Sequence, residues 1–346
     1  MGLSIKDITP RKEIEISDIR GKTLCVDAFN TLYQFLSTIR QPDGTPLIDN
    51  QSRITSHLSG IFYRNISLLS EGIKLIYVFD GDAPDLKAKT WKKRKSARDI
   101  AEEKYEEAKS EEDLSSMKRY ASQLIRLDGV MIEESKELLK AMGIAVIQAP
   151  SEGEAQAAYY CKIKKEIYSA VSQDYDSLLF GAPKLIRNLT LARKRKTISG
   201  FVEIKPELIE LEKVLNHLEI NLDQLICIGI LVGTDYNPKG VPGIGQKKAL
   251  ELVKKYKYPV EIFKNVEEKM NSLPEEDQFD WQEIFELFHK HEVTDEEIEF
   301  PKLNFDKIKE ILVEKHQFSE ERIEKQLDKL RDLEKKKKQT GLGKWF

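Results

Sequence analysis

Short apolar segments alternate with amphipathic helical segments along most of this chain. Four of the apolar segments have the length and β-branched content of buried strands, at residues 23–27, 74–80, 144–148 and 169–172. A fifth, at residues 225–232, precedes a glycine-rich turn and is typical of a buried helix. Strands that alternate with helices predict an α/β fold, in which a central, mostly parallel twisted sheet is flanked by helices.

Carboxylates follow each of these five segments. The set comprises Asp27, Asp80, Glu152, Glu154, Asp174, Asp176 and Asp235. A single aspartate after a strand usually caps the next helix or makes a turn, and Asp80 before Gly81 would suggest no more than that. In an open parallel sheet, however, the carboxyl ends of the strands meet at one crevice. Right-handed crossovers therefore predict one acidic cleft, which Asp235 joins from the helix end.

So many like charges in one cleft would raise one another's pKa values and destabilise the fold unless cations neutralised them. Carboxylate oxygens without nearby histidine or cysteine favour Mg²⁺ or Mn²⁺ over zinc. Two such ions roughly 4 Å apart are the recurrent arrangement for phosphodiester hydrolysis. The alternative is an aspartate-based phosphatase with Asp27 as nucleophile. That chemistry usually uses a second carboxylate two residues later, where this chain has Phe29.

Composition limits the class of protein, and the distribution of charge limits the kind of partner. The 346 residues, 40% apolar and 33% charged, suit one large globular α/β domain or two domains. No segment approaches the roughly 18 apolar residues of a membrane helix, and the three well-separated cysteines exclude a disulfide framework. The net charge of −3 argues against a nucleic-acid partner. Basic residues are nevertheless concentrated at 87–98, 193–196 and 246–257, which favours DNA or RNA.

The glycine-rich turn at residues 240–245 has the spacing GxxGxG, so it is not a dinucleotide-binding fingerprint. It fits the hairpin of a helix-hairpin-helix, with helices at 225–232 and 246–255. Gly243 and Gly245 would let the backbone approach a DNA phosphate, and Lys247 and Lys248 would face it from the helix N-terminus. The alternative is an ordinary tight turn between two helices.

Several ordered motifs together resemble one protein family, the flap endonucleases of the structure-specific 5′ nuclease superfamily, and most of all the archaeal ones. The resemblance extends over essentially the whole chain. The matching segments are residues 26–29, 55–64, 78–81, 149–157, 172–179, 233–236 and 240–245.

The resemblance implies that the seven carboxylates bind two Mg²⁺ ions, for which Mn²⁺ can substitute. It implies that Lys87 and Arg94 contact the scissile phosphate from the base of a helical arch at about residues 83–130, and that a base stacks on Tyr33. It further implies DNA contacts at the duplex bend for Arg40, and near the 3′ flap for Thr55 and Arg64.

The C-terminal residues resemble the box by which replication proteins dock on the DNA sliding clamp. That box consists of Gln339, Leu342, Trp345 and Phe346. Two aromatic residues in a polar tail usually mark a binding segment, although the tail could instead fold back on the protein's own core. We expect a nuclease core at 1–333 and a clamp-binding tail at 334–346. Within the core we expect an N-terminal region at 1–98, an internal region at about 120–258 and a helix-hairpin-helix at about 222–256.

The resemblance implies a 5′ flap endonuclease, also a 5′–3′ exonuclease, that acts in Okazaki-fragment maturation and base excision repair. We expect a cytoplasmic archaeal protein that is a monomer when free and has no membrane segment. Two alternatives remain open at this point. One is a catalytically silent scaffold that binds DNA junctions at the clamp, and the other is a superfamily member that acts on repair bubbles or Holliday junctions.

Overall fold

The computed structural model describes residues 3–41, 44–82, 85–111, 113–121, 124, 126–191, 194–197 and 200–342. Its strands are β1 (Lys12–Glu13), β2 (Thr23–Asp27), β3 (Lys74–Phe79), β4 (Ala145–Gln148), β5 (Ile167–Val171), β6 (Lys184–Arg187), β7 (Lys194–Thr197), β8 (Gly200–Glu203) and β9 (Glu207–Glu210).

Helices cover most of the remaining chain. The α-helices are α1 (Ala28–Thr38), α2 (Ser56–Ser70), α3 (Ala88–Ser110), α4 (Leu114–Ala121), α5 (Gly129–Ala141), α6 (Gly153–Ile163), α7 (Asp176–Leu179), α8 (Leu211–Leu218), α9 (Leu222–Val232), α10 (Gln246–Tyr256), α11 (Pro259–Lys264), α12 (Glu267–Asn271), α13 (Trp281–His289), α14 (Phe305–Lys309) and α15 (Glu320–Leu342). Short 3₁₀ turns lie at Ile16–Ile19, Asp85–Lys87 and Glu275–Asp277, and a π-helix lies at Glu310–Lys315.

The central sheet has seven strands in the order β1-β9-β6-β5-β2-β3-β4. β2 pairs in parallel with both β3 and β5, and β4 and β6 extend the parallel part on either side. β9 and β1 add an antiparallel edge. The predicted α/β fold with a mostly parallel sheet is therefore confirmed.

Apolar cores lie on both faces of this sheet, because the buried strands are apolar on both sides. On one face Cys25, Ile76 and Val78 pack with residues of α6 and α9. On the other face Leu24 and Val26 pack with residues of α1, α2, α5 and α15. The strands are thus held in register from both sides, and their carboxyl ends are presented at one edge.

Some boundaries differ from the sequence-based prediction. The fourth predicted strand begins at Ile167, two residues before Ser169, and the strands β1, β6 and β9 of the central sheet were not predicted. The basic cluster at 193–196 was interpreted either as a solvated face or as part of a polyanion-binding surface, with no strand predicted there. From Lys194 onward its backbone forms β7, which pairs with β8 in a hairpin, and Arg193 lies outside the described residues.

The two predicted helices around the glycine-rich turn are present as α9 and α10. Gly240 has a φ of +56°, and a Cβ on it would lie 2.5 Å from the carbonyl carbon of Val232. Glycine is therefore required where this turn folds back on α9.

The segment predicted as an arch contains α3 and α4, which pack against each other. Residues 83–84, where the arch was expected to begin, lie outside the described part. Among the described residues no single helix is long and apolar enough to span a membrane, although α8 and α9 pass that test as a pair bent by 83°.

Candidate active site

The order of the strands creates a switch point beside β2. The chain proceeds from β2 outward to β3 and β4, and then returns to the other side of β2 to form β5 and β6. Ligands of open parallel sheets bind at the carboxyl ends of the strands next to such a point. Asp27 is the last residue of β2 and Asp80 directly follows β3, so both lie at this crevice.

Helix N-termini hold these two aspartates. Asp27 is the N-cap of α1, and its Oδ1 accepts a hydrogen bond from the backbone N–H of Asn30 at 3.0 Å. Asp80 Oδ1 accepts one from the N–H of Gly153, the first residue of α6, at 2.8 Å. A Cβ on Gly153 would lie 2.6 Å from that oxygen, so only glycine permits this approach. The positive ends of both helices partly neutralise the aspartates.

The β4 and β5 ends supply four more carboxylates. Glu154, in the first turn of α6, accepts a hydrogen bond from Ser172 Oγ at 2.7 Å. Asp174 Oδ2 accepts one from Asn30 Nδ2 at 3.2 Å. Asp176 begins α7 and is buried, and within the described part its Oδ1 has no hydrogen-bond partner.

Lys87 lies inside the cleft. It contacts Glu152, the fourth carboxylate from the β4 and β5 ends, and also Asp235. Its Nζ is 2.6 Å from Glu152 Oε2 and 3.7 Å from Asp235 Oδ2, and it lies 5.5 Å from the ring centre of Tyr236. Burial alone would lower the pKa of Lys87, but the surrounding carboxylates outweigh it and raise the pKa above its ordinary value. Lys87 is therefore a charged ammonium that neutralises part of the cleft.

The remaining repulsion changes the acidity of the carboxylates. Burial, together with repulsion from Asp80 and Asp174, raises the pKa of Asp27 to about 8. Burial and the charge of Glu152 raise the pKa of Asp80 to about 6.

Burial, and to a smaller extent repulsion from neighbouring aspartates, also raises the pKa values of Glu154 and Asp176 well above their ordinary range. The seven predicted carboxylates thus interact with one another in one cleft.

Comparisons with known proteins agree with this geometry. The XPG N-terminal domain family matches residues 4–101, and the XPG I-region matches residues 143–235. Together these two ranges contain all seven carboxylates. The flap endonuclease 1 of Thermococcus onnurineus is 50% identical over 349 residues, which cover 100% of this chain and 99% of the relative. The chain belongs to the flap endonuclease 1 family.

Solved structures place the fold in the same family. The flap endonuclease-1 from Methanococcus jannaschii superimposes with a TM-score of 0.75 at 40% identity, and the match covers 97% of this chain and 100% of that one. The catalytic core of Rad2 in complex with DNA substrate matches with a TM-score of 0.68 over 94% of this chain and 99% of that one. At 22% identity the likeness to Rad2 concerns the fold. The chain is thus a nuclease, as its motifs implied.

Nucleases of the flap endonuclease 1 family generally depend on metal ions, and the cleft fits such ions. Its donors are carboxylate oxygens, which hard cations prefer. The unpartnered Oδ1 of Asp176 and the raised pKa values of Asp27 and Glu154 mark a site that lacks positive charge. In the described part of the chain no three acidic, histidine or cysteine side chains converge on one ion-sized point as they stand. Lys87 contacts Glu152 and Asp235 instead.

The other predicted site residues are spread around this cleft. Tyr33, on α1, is 42% exposed. Lys247 and Lys248 are exposed at the start of α10, whose N-cap is Gly245, and Gly243 adopts a φ of +71°.

The connection between α1 and α2 carries two further predicted DNA contacts, Arg40 and Thr55, and α2 carries a third, Arg64. Arg40 is half-buried and donates to the carbonyl of Leu36 at 3.0 Å. Thr55 is buried as the N-cap of α2, and Arg64 lines a cleft of about 290 Å³ beside that helix.

Predicted residues of the arch and tail are only partly described. The backbone of Arg94 belongs to α3, and those of Gln339 and Leu342 belong to α15, but their side chains lie outside the described residues. Trp345 and Phe346 lie outside them entirely.

Some residues that shape the cleft were missed by sequence reasoning. Besides Asn30 and Ser172, the buried pair Thr234 and Asn237 fixes the turn that carries Asp235. The Thr234 hydroxyl donates to Asn237 Oδ1 at 2.8 Å, and Asn237 Nδ2 donates to the carbonyl of Ile230 at 2.7 Å. Thr234 and Asn237 stand next to a motif carboxylate and three residues apart, which is a local signal of a side-chain-stabilised turn.

We expect the protein in EDTA to lose thermal stability between pH 6 and pH 8. The pKa of Asp27 is raised from 3.8 to about 8 by folding, so the native state favours its proton. That contribution to stability is complete below about pH 4 and is lost as the pH rises through 8, on the order of 1 kcal/mol per pH unit. Calorimetry should show that Mg²⁺ raises the Tm more at pH 8 than at pH 6.

The control for this effect is Asp27→Asn, which removes one of the titrating carboxyls and should weaken the dependence of Tm on pH in EDTA. A wild-type Tm that stays constant from pH 6 to pH 8 in EDTA would contradict the electrostatic description of the cleft.

Proposed function

We propose that this nuclease is a 5′ flap endonuclease, with 5′–3′ exonuclease activity, that hydrolyses a phosphodiester at the base of a 5′ flap. The observation that carries the proposal is the single cleft at the carboxyl ends of the strands, with its clustered carboxylates and embedded lysine. We assign two Mg²⁺ ions, or Mn²⁺ in their place, to these ligands: Asp27, Asp80, Glu152, Glu154, Asp174, Asp176 and Asp235. When bound, the ions supply the Lewis-acid chemistry of phosphodiester hydrolysis.

Lys87 is the proposed catalytic cation of the protein itself. Its ammonium is held 2.6 Å from Glu152, so it is in place before any phosphate arrives and needs little reorganisation. Such a preorganised charge stabilises negative charge that develops on a phosphate oxygen. We assign the same role to Arg94, and we propose that residues 83–130 form an arch over the cleft. Tyr33 is exposed on α1, the helix that Asp27 caps, and is available for stacking with a base near the cut.

The turn between α9 and α10 is the proposed grip on duplex DNA. A Cβ on Gly243 or Gly245 would meet nothing within 4 Å, so no neighbouring group crowds that side of the turn and a phosphate can approach its backbone. Exposed Lys247 and Lys248 add positive charge to the positive end of α10, which is unfavourable unless an anion binds there. Contacts of this kind read no base, so binding would be independent of sequence and sensitive to salt.

The segment between α1 and α2 is the proposed contact with the bent duplex and the 3′ flap. Arg40 belongs to its first part, Thr55 fixes its end, and Arg64 lies on α2 beside it. The bridges Arg40 to Pro46 and Ile48 to Ile54 give this segment a defined shape. We assign Arg40 to the bend, and Thr55 and Arg64 to the 3′ flap.

The tail is the proposed tether to the DNA sliding clamp, through Gln339, Leu342, Trp345 and Phe346. We propose a cytoplasmic enzyme of Okazaki-fragment maturation and base excision repair that is a monomer when free. Its nuclease core would comprise residues 1–333, with the N-terminal region at 1–98, the internal region at about 120–258 and the helix-hairpin-helix at about 222–256.

Replacing a cleft carboxylate should separate cutting from binding. We expect Asp80→Ala and Asp174→Ala to abolish cleavage while flap binding survives, because these side chains serve the ions and the basic surfaces hold the DNA. Cleavage of flap, bubble, nicked and four-way-junction DNA should be measured beside binding, with the exposed Glu297→Ala as a control. Near-normal turnover of either aspartate variant in saturating Mg²⁺ would refute the metal assignment. A wild type that binds flaps without cutting would favour the silent scaffold, and preference for bubbles or junctions would favour another branch of the superfamily.

Lys87→Ala should lower the single-turnover cleavage rate by about 10²-fold or more and leave flap affinity within about threefold. The reason is that a cation aimed at the reacting phosphate acts mainly in the transition state. Arg94→Ala should behave alike, whereas the exposed Lys213→Ala should match the wild type. If affinity fell in proportion to rate, both residues would be ordinary phosphate contacts.

Deleting residues 339–346 should leave flap cleavage by the free enzyme almost unchanged and remove its stimulation by the clamp. The tail carries no cleft carboxylate, and tethering acts by raising the effective concentration at the junction. The measurement is a flap assay with and without clamp loaded on the DNA, and the pair Trp345→Ala and Phe346→Ala should reproduce the deletion. Stimulation that persists in the truncated enzyme, or loss of its basal activity, would refute the tether.

A further inference from the structure

Ser172 directly follows β5 and occupies the centre of the cleft. Its side chain is buried and its Oγ contacts three different motifs. The hydroxyl donates to Glu154 Oε1 at 2.7 Å and lies 3.2 Å from Asp27 Oδ2. It also accepts the backbone N–H of Asp174 at 3.2 Å. One oxygen thereby joins the end of β2, the first turn of α6 and the loop that opens α7.

We propose that Ser172 is a positioning residue that sets the spacing of Asp27, Glu154 and Asp174 for the two metal ions. The inference deepens the proposed function and rests on it. Because both carboxylate oxygens lie within hydrogen-bond reach of one hydroxyl, their separation is bounded by two short contacts. Carboxylates at that range can serve ions roughly 4 Å apart. Groups that orient the ligands of a metal typically contribute 10- to 100-fold in metal affinity or activity.

No other described contact replaces this hydroxyl. Without it, the nearest donor to Glu154 Oε1 is the hydroxyl of Ser177 at 3.5 Å, a marginal distance. Asp27 would keep its hydrogen bond from the N–H of Asn30. That donor belongs to the helix that Asp27 itself caps, so it does not fix the position of Asp27 relative to Glu154. Loss of the Ser172 hydroxyl should therefore uncouple the two carboxylates without unfolding β2 or α6.

Ser169, on β5 and three residues before Ser172, provides a matched control. It is fully buried, and its Oγ has no hydrogen-bond partner in the described part of the chain. Ser169→Ala removes the same atom as Ser172→Ala, three residues earlier and within β5, but it breaks no such contact. A difference between the two variants therefore reports the hydrogen bonds of Ser172, and a common effect reports packing of β5.

The test is calorimetric titration of full-length protein with Mn²⁺ alone, together with the Mg²⁺ dependence of flap cleavage. We expect Ser172→Ala to weaken Mn²⁺ binding and to raise the Mg²⁺ concentration for half-maximal rate by about 10-fold. The flap affinity of Ser172→Ala, measured in Ca²⁺, should stay within about twofold of the wild-type value. Ser169→Ala should match the wild type in all three measurements. Ser172→Thr, which keeps the hydroxyl, should restore Mn²⁺ affinity to within about threefold.

Equal Mn²⁺ affinity of Ser172→Ala and Ser169→Ala would overturn the inference, as would a folded Ser172→Thr that binds as weakly as the alanine variant. If Ser172→Ala does not fold, Ser172→Cys replaces it in the same comparison, because a thiol keeps the volume and donates poorly. Wild-type protein that binds no Mn²⁺ would refute the proposed function itself, which distinguishes that failure from failure of the role of Ser172.

Discussion

Burial, together with repulsion among the carboxylates, raises the pKa of Asp27 to about 8 and that of Asp80 to about 6 in this fold. A protein can keep such a cluster only if compensating groups are built around it. Here the compensation comes from the N-termini of α1 and α6, from the ammonium of Lys87 and from the hydroxyl of Ser172. These groups reduce the repulsion but do not remove it, so the remaining negative charge of the cleft favours the binding of cations.

The apolar cores stabilise the fold enough to offset the repulsion in the cleft, and they keep the cleft rigid. Residues of β2 and β3 are buried alternately against helices on the two faces of the sheet. Burial of that area stabilises the strands by roughly 25 cal/mol per Å², and it leaves the strand ends little freedom to move apart under repulsion. Because the chain crosses to the other side of β2 after β4, the ends of β3 and β5 flank that of β2. The topology thus concentrates the charge, and the cores resist its effect.

Much of this could be predicted from the sequence, because the signals involved are local. Residues 23–27 form a strand with the predicted bounds, since a run of buried-type residues that ends in aspartate is read within one segment. The edge strand β1 has only two residues, both charged, and its pairing with β9 depends on residues nearly two hundred positions away. The links from Ser172 to Asp27 and from Asn30 to Asp174 span about 145 positions. No pattern within a single segment contains these links, so the seven carboxylates were predictable and these two hydrogen bonds were not.

The distribution of charge also explains how a chain with a net charge of −3 can act on DNA. Negative charge is gathered in the cleft, while the exposed Lys247 and Lys248 at the start of α10 face the solvent. A DNA phosphate is attracted to the outer basic surface, but the cleft repels it as long as the carboxylates are uncompensated. Under the proposed function, cations that enter the cleft neutralise this barrier, so that the scissile phosphate can approach Lys87. Holding the DNA and cutting it would then depend on different sets of charges, and metal binding would control only the second.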